Sequence, residues 1–204
     1  MGVVVGSGSV KTVPVRGLLA ATGPAVDPRR LAVAAQVVIV LQTVASLVLA
    51  ADGGTHSKLF APLSMPPTVA AVVVFLCWFR RCRLNAERLA PGAVAHSPGF
   101  AVGVWFVPVA MWYFPRRIMM DVWRVSAPTS GGWVVHAWWV AWLAKTVGGL
   151  VVPRLLSEPL NGFTLYNDVV GVVAAGLAVL MIQQVTAGQY ARLQAVPGAL
   201  RVAR

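Results

Sequence analysis

Long apolar runs alternate along this chain with short segments rich in arginine, glycine or proline. The first run, Leu31 to Ala51, contains no charged residue and has the length of about 20 residues that a helix needs to cross a bilayer. Asp27 and Pro28 precede it as an N-cap and a first-turn proline, and Arg29 and Arg30 follow as surface anchors. The pattern predicts a transmembrane helix.

Three further runs predict helices of the same kind. The second extends from Pro66 to Phe79 and continues toward Leu89, because the arginines in that continuation can direct their charge to the membrane surface. The fourth extends from Trp133 to Val152, and the fifth from about Val169 to Val185. The alternation of runs and polar segments therefore predicts several crossings of a membrane.

The third run, Gly99 to Pro115, has a proline, Pro108, in its middle. Proline lacks an amide hydrogen and clashes with the preceding turn, so a straight helix is disfavoured there. We expect a bent element packed against the first, fourth or fifth span, followed after Pro115 by a helix in the membrane interface. The alternative is one straight helix from Gly99 to Ser126 that crosses the bilayer.

The composition agrees with a membrane location. Hydrophobic residues make up 58% of the 204 residues and charged residues only 11%, whereas a soluble domain carries about 25% charged residues. We therefore predict an all-α, multi-pass helix bundle in the cell membrane. Its parts are a flexible basic tail over residues 1–30, the bundle over residues 31–190, and a short basic tail over residues 191–204.

The charge is one-sided, with 17 Lys and Arg against 6 Asp and Glu and a net charge of +11. Such an excess is typical of proteins that bind nucleic acid or an anionic membrane surface. The basic residues flank the apolar runs and do not form a stripe along a soluble helix. The membrane interpretation is therefore favoured, and we expect no nucleic-acid partner.

The positions of the basic residues favour four spans over five. If the third run returns to the side it came from, both termini are cytoplasmic, and 14 Lys and Arg lie inside against two, Lys58 and Arg154, outside. If the third run crosses, the split becomes 9 to 7. Cytoplasmic loops carry the excess of basic residues, so the four-span arrangement is preferred. Its inside set is Lys11, Arg16, Arg29, Arg30, Arg80, Arg81, Arg83, Arg88, Arg116, Arg117, Arg124, Arg192, Arg201 and Arg204.

Three segments between positions 75 and 143 carry a family resemblance. They read FLCWFRRCRLNAERL, then HSPGFAVGVWFVPVAMWYFPRRIMMDVWRVSAP, then HAWWVAWL. This order closely resembles the bacterial membrane family known as domain of unknown function 4328, which is common in actinobacteria. The resemblance implies a multi-span membrane protein and brings no activity with it. The motif residues are Asn85, Trp105, Phe106, Pro108, Pro115 and Trp123.

Two positions depart from the family pattern. An Asn that the family usually shows shortly after its WFVP element is Met111 here, and a Gly before the Trp of that element is Val104. If that Asn has a polar role in the family, this chain lacks it.

Lys145 is the first candidate for chemistry, because it lies near the middle of the fourth predicted span. A charge at the centre of a bilayer costs about 3 kcal/mol on insertion scales. The functional interpretation is a proton or ligand site, and the structural one is a lysine that reaches the surface or meets a neighbouring helix. Asp168 and Glu158 stand at the predicted outer edge, so the sequence places no acid inside another span.

Asp121 is the second candidate. On a helix it shares one face with Arg117 and Arg124. The structural interpretation is an amphipathic helix in the interface whose charges neutralise each other. The functional one is a pocket for an anion or a lipid headgroup that also uses Arg116.

No catalytic residue, metal site or cofactor is predicted. The chain has no paired carboxylates and no Cys or His pair at metal-ligand spacing, and His96 and His136 are the weak alternative. One hypothesis is a membrane interaction module that contacts anionic lipid, a protein partner or a second copy through a basic cytoplasmic face. The other is a small membrane enzyme or carrier with a site around Pro108, Asp121 and Lys145.

Overall fold

The computed structural model describes residues 25–51, 57–126, 131–155 and 161–195, with the backbone alone at 57–64, 150, 152–155 and 161–164. The tails at 1–24 and 196–204, with the basic residues predicted there, and Glu158 lie outside the described residues. The described part is helical, without strands. Its α-helices are α1 (Arg29–Ala51), α2 (Ser57–Leu89), α3 (Pro98–Gly103), α4 (Phe114–Ser126), α5 (Trp133–Leu155) and α6 (Asn161–Ala195).

Three of these helices contain stretches that are long and apolar enough to cross a membrane: Arg29–Ala51, Met65–Leu89 and Leu165–Ala195. The chain is therefore an all-helical protein of membrane type. Helix α5 has 23 residues, which is about 34 Å at 1.5 Å per residue and exceeds the roughly 30 Å of a hydrocarbon core.

Two helices begin earlier than the sequence predicted. Helix α2 begins at Ser57 and not near Pro66, because a helix whose neighbours satisfy its backbone groups accommodates proline. Helix α6 begins at Asn161 and not near Val169, so Asp168 lies within this helix, in the first turn of the candidate span Leu165–Ala195. The same helix continues to Ala195, five residues into the predicted C-terminal tail. Polar residues at helix ends hid these extensions from the apolar pattern.

The third apolar run folds back on itself, as the central proline predicted. Helix α3 ends in a 3₁₀ turn at Val104–Phe106, and a second 3₁₀ turn at Ala110–Trp112 leads into α4. The rings of Phe100 and Phe114 are 5.4 Å apart, whereas a straight helix would separate these residues by about 21 Å. The straight-helix alternative is thereby wrong. We call residues 98–113 the returning segment.

The bend itself is a γ-turn at the tip of the returning segment. Val109 has φ 67° and ψ −49°, and the amide of Ala110 donates to the carbonyl oxygen of Pro108 at 2.8 Å. Positive φ in this turn is strained, most of all for a β-branched residue. The tip is exposed, with Phe106 71% and Val109 73% accessible.

The returning segment packs against α2 and α5. The Trp105 ring lies 5.7 Å from Phe75 and 6.2 Å from Phe79, both on α2, and 5.6 Å from Trp142 on α5. The prediction of a contact with the first, fourth or fifth run is confirmed by α5, which contains the fourth run, and α2 is a further partner that was not predicted. Trp105 packs against the core, whereas the other side of the bend is exposed.

Candidate functional site

Helix α4 separates an apolar face from a basic one. Ile118, Met119 and Val122 are buried among the neighbouring helices, whereas Arg116, Arg117 and Arg124 are exposed. An amphipathic helix of this kind covers the bundle with one side and presents the other to the interface. The sequence predicted this division correctly.

The charged residues of α4 have local partners. Arg124, whose side chain is 70% exposed, donates to Asp121 at 3.2 Å. The Nε of Arg116 donates to Nδ1 of His136, on α5, at 3.0 Å. The contact of Arg116 with His136 was missed, because the two residues are 20 positions apart and no local pattern connects them. Arg117 is exposed.

The exposed arginines of α4 belong to a larger basic surface at one end of the bundle. Contacts that join the start of α1, the ends of α2 and α6, helix α4 and the start of α5 place these parts together. We call this region the basic end. Its arginines, apart from the buried Arg83, are Arg29, Arg30, Arg80, Arg81, Arg88, Arg116, Arg117, Arg124 and Arg192.

Arg83 contributes to structure and not to the basic surface, although the sequence counted it among the cytoplasmic arginines. It is 2% exposed. Its Nη1 donates to Glu87 at 3.1 Å. Its Nη2 donates to the carbonyl oxygens of Val94 and His96. Arg83 thereby holds the loop that leads from α2 into α3.

A buried polar network ties the basic end together. Asn85 donates to the carbonyl oxygen of Val26 at 2.8 Å and to Oε1 of Gln189 at 3.2 Å, and it accepts from the amide of Val26. Gln189 donates to the carbonyl oxygen of Cys82 at 2.9 Å and to Oγ of Ser126 at 3.1 Å. Asn85, Ser126 and Gln189 are fully buried. The network joins the segment before α1 to α2, α4 and α6.

Lys145 lies in a separate place, toward the other end of α5. A cavity of about 20 Å³ beside it is lined by Thr43, Ser46, Leu47, Lys145, Asn167, Asp168, Gly171 and Val172. A Cβ atom at Gly171 would lie 2.9 Å from the Lys145 Nζ, so the glycine leaves room for the ammonium group. The sequence did not predict that Asp168 and Lys145 line the same cavity, because it placed Lys145 near the middle of its span and Asp168 at the outer edge.

The predicted site residues fall into three places. Pro108 is exposed at the tip of the returning segment, Asp121 pairs with Arg124 on α4, and Lys145 lines a cavity to which neither contributes. Among the family-motif residues, Asn85 and Trp123 are buried. Pro115 is buried in the first turn of α4 as well, while Phe106 joins Pro108 at the exposed tip.

The described part of the chain holds no group of three or more His, Cys, Asp or Glu side chains that converge. His96 lies against Phe100 and Phe114. His136 lies against Arg116 instead. The two histidines thus contact different neighbours, and no metal is assigned to them.

Comparison with known families adds one finding. Residues 57–187 match the model of a domain of unknown function, DUF4328. The chain belongs to this family. The DUF4328 match begins with α2, includes the returning segment and α4, and ends inside α6, so that α1 lies outside it. No curated protein and no solved structure matches the chain.

Proposed function

We propose that this DUF4328 protein is a membrane module that binds anionic lipid headgroups at its basic end. The observation that carries the proposal is α4, with Arg116, Arg117 and Arg124 exposed above an apolar face buried in the bundle. Guanidinium groups match phosphate oxygens in geometry and charge. A cluster of basic residues next to membrane spans is typical of a site for anionic lipids.

The proposal includes a topology. The basic end is cytoplasmic, because cytoplasmic segments of membrane proteins carry the excess of Lys and Arg. Helices α1, α2, α5 and α6 are the four spans, and the returning segment enters the membrane and leaves on the same side. The exposed Phe106 and Val109 support this arrangement, since large apolar side chains at the tip favour hydrocarbon over water.

A lipid is a better occupant than a protein partner for this surface. The exposed groups on α4 are guanidinium groups around a single Asp121, which is already paired with Arg124. Protein interfaces usually contain a buried apolar core inside a polar rim. The apolar residues of α4 are buried within the bundle and cannot form such a core. A headgroup phosphate needs no apolar core from the surface that binds it.

The test is the retention of lipid by purified protein. The chain is extracted in non-ionic detergent from membranes that contain phosphatidylglycerol, and bound lipid is measured by mass spectrometry. Each basic residue near the surface contributes about 1 kcal/mol to the attraction of anionic lipid. The double variant Arg116→Gln, Arg117→Gln is therefore expected to bind phosphatidylglycerol about 30-fold more weakly.

The matched control removes the same charge from the other end. Lys58→Gln with Arg154→Gln is expected to leave retention unchanged, because these residues belong to the opposite set of the proposed topology. Equal retention by the α4 variant and the wild type would overturn the lipid proposal. A protein that co-purifies with the wild type and is lost with the α4 variant would favour a protein partner in its place.

The membrane enzyme or carrier predicted as the alternative has less support. That hypothesis needs a polar cavity that joins Lys145 to Asp121 near Pro108. Asp121 faces Arg124 on α4, and the polar residues around Lys145 come from α1 and α6. The basic end is accordingly the surface on which the proposed function rests.

A further inference from the structure

A second binding site is suggested at the end of the bundle opposite the basic end. A groove of about 520 Å³ lies between the last turns of α1 and the first turns of α6. Its volume is in the range of sites for small molecules. The groove is lined by Leu47, Ala50, Ala51, Leu165, Asp168, Val169, Val172 and Val173. Seven of these eight residues are apolar, and the eighth is an acid.

Asp168 is the feature that distinguishes this groove from an ordinary lipid-facing surface. It lies in the first turn of the candidate span Leu165–Ala195, where it is the one charged residue among the apolar side chains that line the groove. No hydrogen bond or salt bridge joins the Asp168 side chain to another described residue. The Lys145 Nζ is therefore more than 4.0 Å from the carboxylate oxygens. The groove thus offers an apolar wall with one negative charge that has no direct partner in the described structure.

Lys145 does not line the groove. Asp168 lines both the groove and the 20 Å³ cavity, whereas Lys145 lines the cavity alone. No salt bridge joins the two side chains, so Lys145 is an incomplete counterion for Asp168 and leaves room for a second cation on the groove side.

Two close contacts hold this arrangement in position. The Lys145 ammonium is seated against Gly171, one turn beyond Asp168 on α6. The hydroxyl of Tyr166 donates to the carbonyl oxygen of Ala144, next to Lys145, at 3.1 Å. The small residue and the hydroxyl therefore fix α5 against α6 beside the cavity that both charged side chains line.

We propose that this groove binds a lipophilic cation, with its apolar groups against α1 and α6 and its positive charge beside the Asp168 carboxylate. The charge decides the class of ligand, because an anion would be repelled by Asp168 and a neutral hydrocarbon would gain nothing from it. The proposal concerns the opposite end from the lipid site and does not depend on it.

The test uses two ions of the same shape and opposite charge. Binding of tetraphenylphosphonium and of tetraphenylborate to the full chain is measured by equilibrium dialysis in non-ionic detergent. Tetraphenylphosphonium is expected to bind at least about tenfold more tightly than tetraphenylborate. Equal binding of the two ions, or tighter binding of the borate, would overturn the proposal.

Variants locate the site. Asp168→Asn keeps the shape and removes the charge, so it is expected to weaken tetraphenylphosphonium binding at least about tenfold. Lys145→Gln removes the competing cation and is expected to tighten it. If Lys145→Gln weakened binding to the same extent as Asp168→Asn, the proposed role of the lysine and the location of the site would both be wrong.

Two further variants separate loss of the site from loss of the fold. Ala50→Phe fills the groove without changing a charge, and it is expected to weaken binding of the cation. Asp121→Asn, which removes an acid at the basic end, is expected to leave binding unchanged. Full binding by Ala50→Phe, or equal losses in Asp121→Asn and Asp168→Asn, would contradict a site in this groove.

Discussion

Asn85 shows how a polar side chain is accommodated inside an apolar bundle. Its amide hydrogens are used by Val26 and Gln189, and its oxygen accepts from the backbone of Val26. A buried polar group that is fully bonded costs little, whereas one left without its partner costs about 1–3 kcal/mol. At the residue scale, therefore, the stability of the basic end depends on the completeness of this network more than on the exposed arginines above it.

Replacement of Asn85 is predicted to destabilise the protein. Asn85→Leu leaves Gln189 Oε1 and the Val26 backbone without their partner, so the free energy of unfolding is expected to fall by about 1–3 kcal/mol. Thermal unfolding in detergent measures the effect as a lower midpoint. Gln36→Leu is the control, because Gln36 reaches Gln183 only at 3.5 Å in an exposed position. A midpoint for Asn85→Leu equal to that of the control would contradict a stabilising role of the network.

At the element scale, the returning segment is the part of the molecule in which local backbone chemistry decides the shape. Pro108 removes a backbone donor, and Val109 adopts the positive φ that closes the γ-turn. The aromatic residues on either side differ in their surroundings, since Trp105 packs among the rings of α2 and α5 while Phe106 is exposed. The bend thus holds one side of the segment in the core and projects the other outward.

Relief of the backbone strain at the tip is predicted to stabilise the bend. Val109→Gly allows φ 67° without steric cost, so the free energy of unfolding is expected to rise by about 1 kcal/mol. Val107→Gly is the matched control. Val107 is also an exposed valine of the tip, but it has φ −99°, so glycine there only increases the freedom of the unfolded chain and is expected to destabilise. Chemical unfolding curves of the two variants that shift in the same direction would contradict the strained turn.

Sequence reasoning succeeded at this scale where the signal was local. The proline at position 108 predicted the bend, and the spacing of Arg117, Asp121 and Arg124 predicted the polar face of α4. It failed where the deciding partner was remote, as for His136 beside Arg116. It also missed the start of α6, because the first turns of this helix contain polar residues and so lie outside the apolar run.

At the scale of the whole molecule, charge is segregated between the two ends of the bundle. The arginines of α1, α2, α4 and α6 meet at the basic end through the contacts of Asn85, Gln189 and Arg116. Ten of the 14 Lys and Arg that the four-span arrangement assigns to one side lie at this end, and the other four lie outside the described residues. Asp168 and the groove lie at the far end of α1 and near the start of α6. The two proposed sites therefore prefer ligands of opposite charge.

The orientation of the two ends is predicted from the charge asymmetry and can be measured by cysteine labelling. In a background where Cys77, the exposed native cysteine, is replaced by alanine, Arg124→Cys and Ala191→Cys are expected to react with an impermeant reagent only after the membrane is permeabilised. Lys58→Cys is expected to react in intact cells and serves as the control. Labelling of Arg124→Cys in intact cells would contradict the four-span topology.

The buried network at the basic end has a consequence for how the protein is made. Asn85 and Ser126 are translated well before Gln189, the residue that bonds to both. Until the last helix, α6, is made, Asn85 and Ser126 therefore lack the partner that joins them. When the last helix is in place, Gln189 bonds to both residues. An incompletely made chain therefore differs from the finished protein by these incompletely paired polar side chains. A chaperone or protease that recognises exposed polar groups in lipid can thereby distinguish an unfinished copy from a finished one.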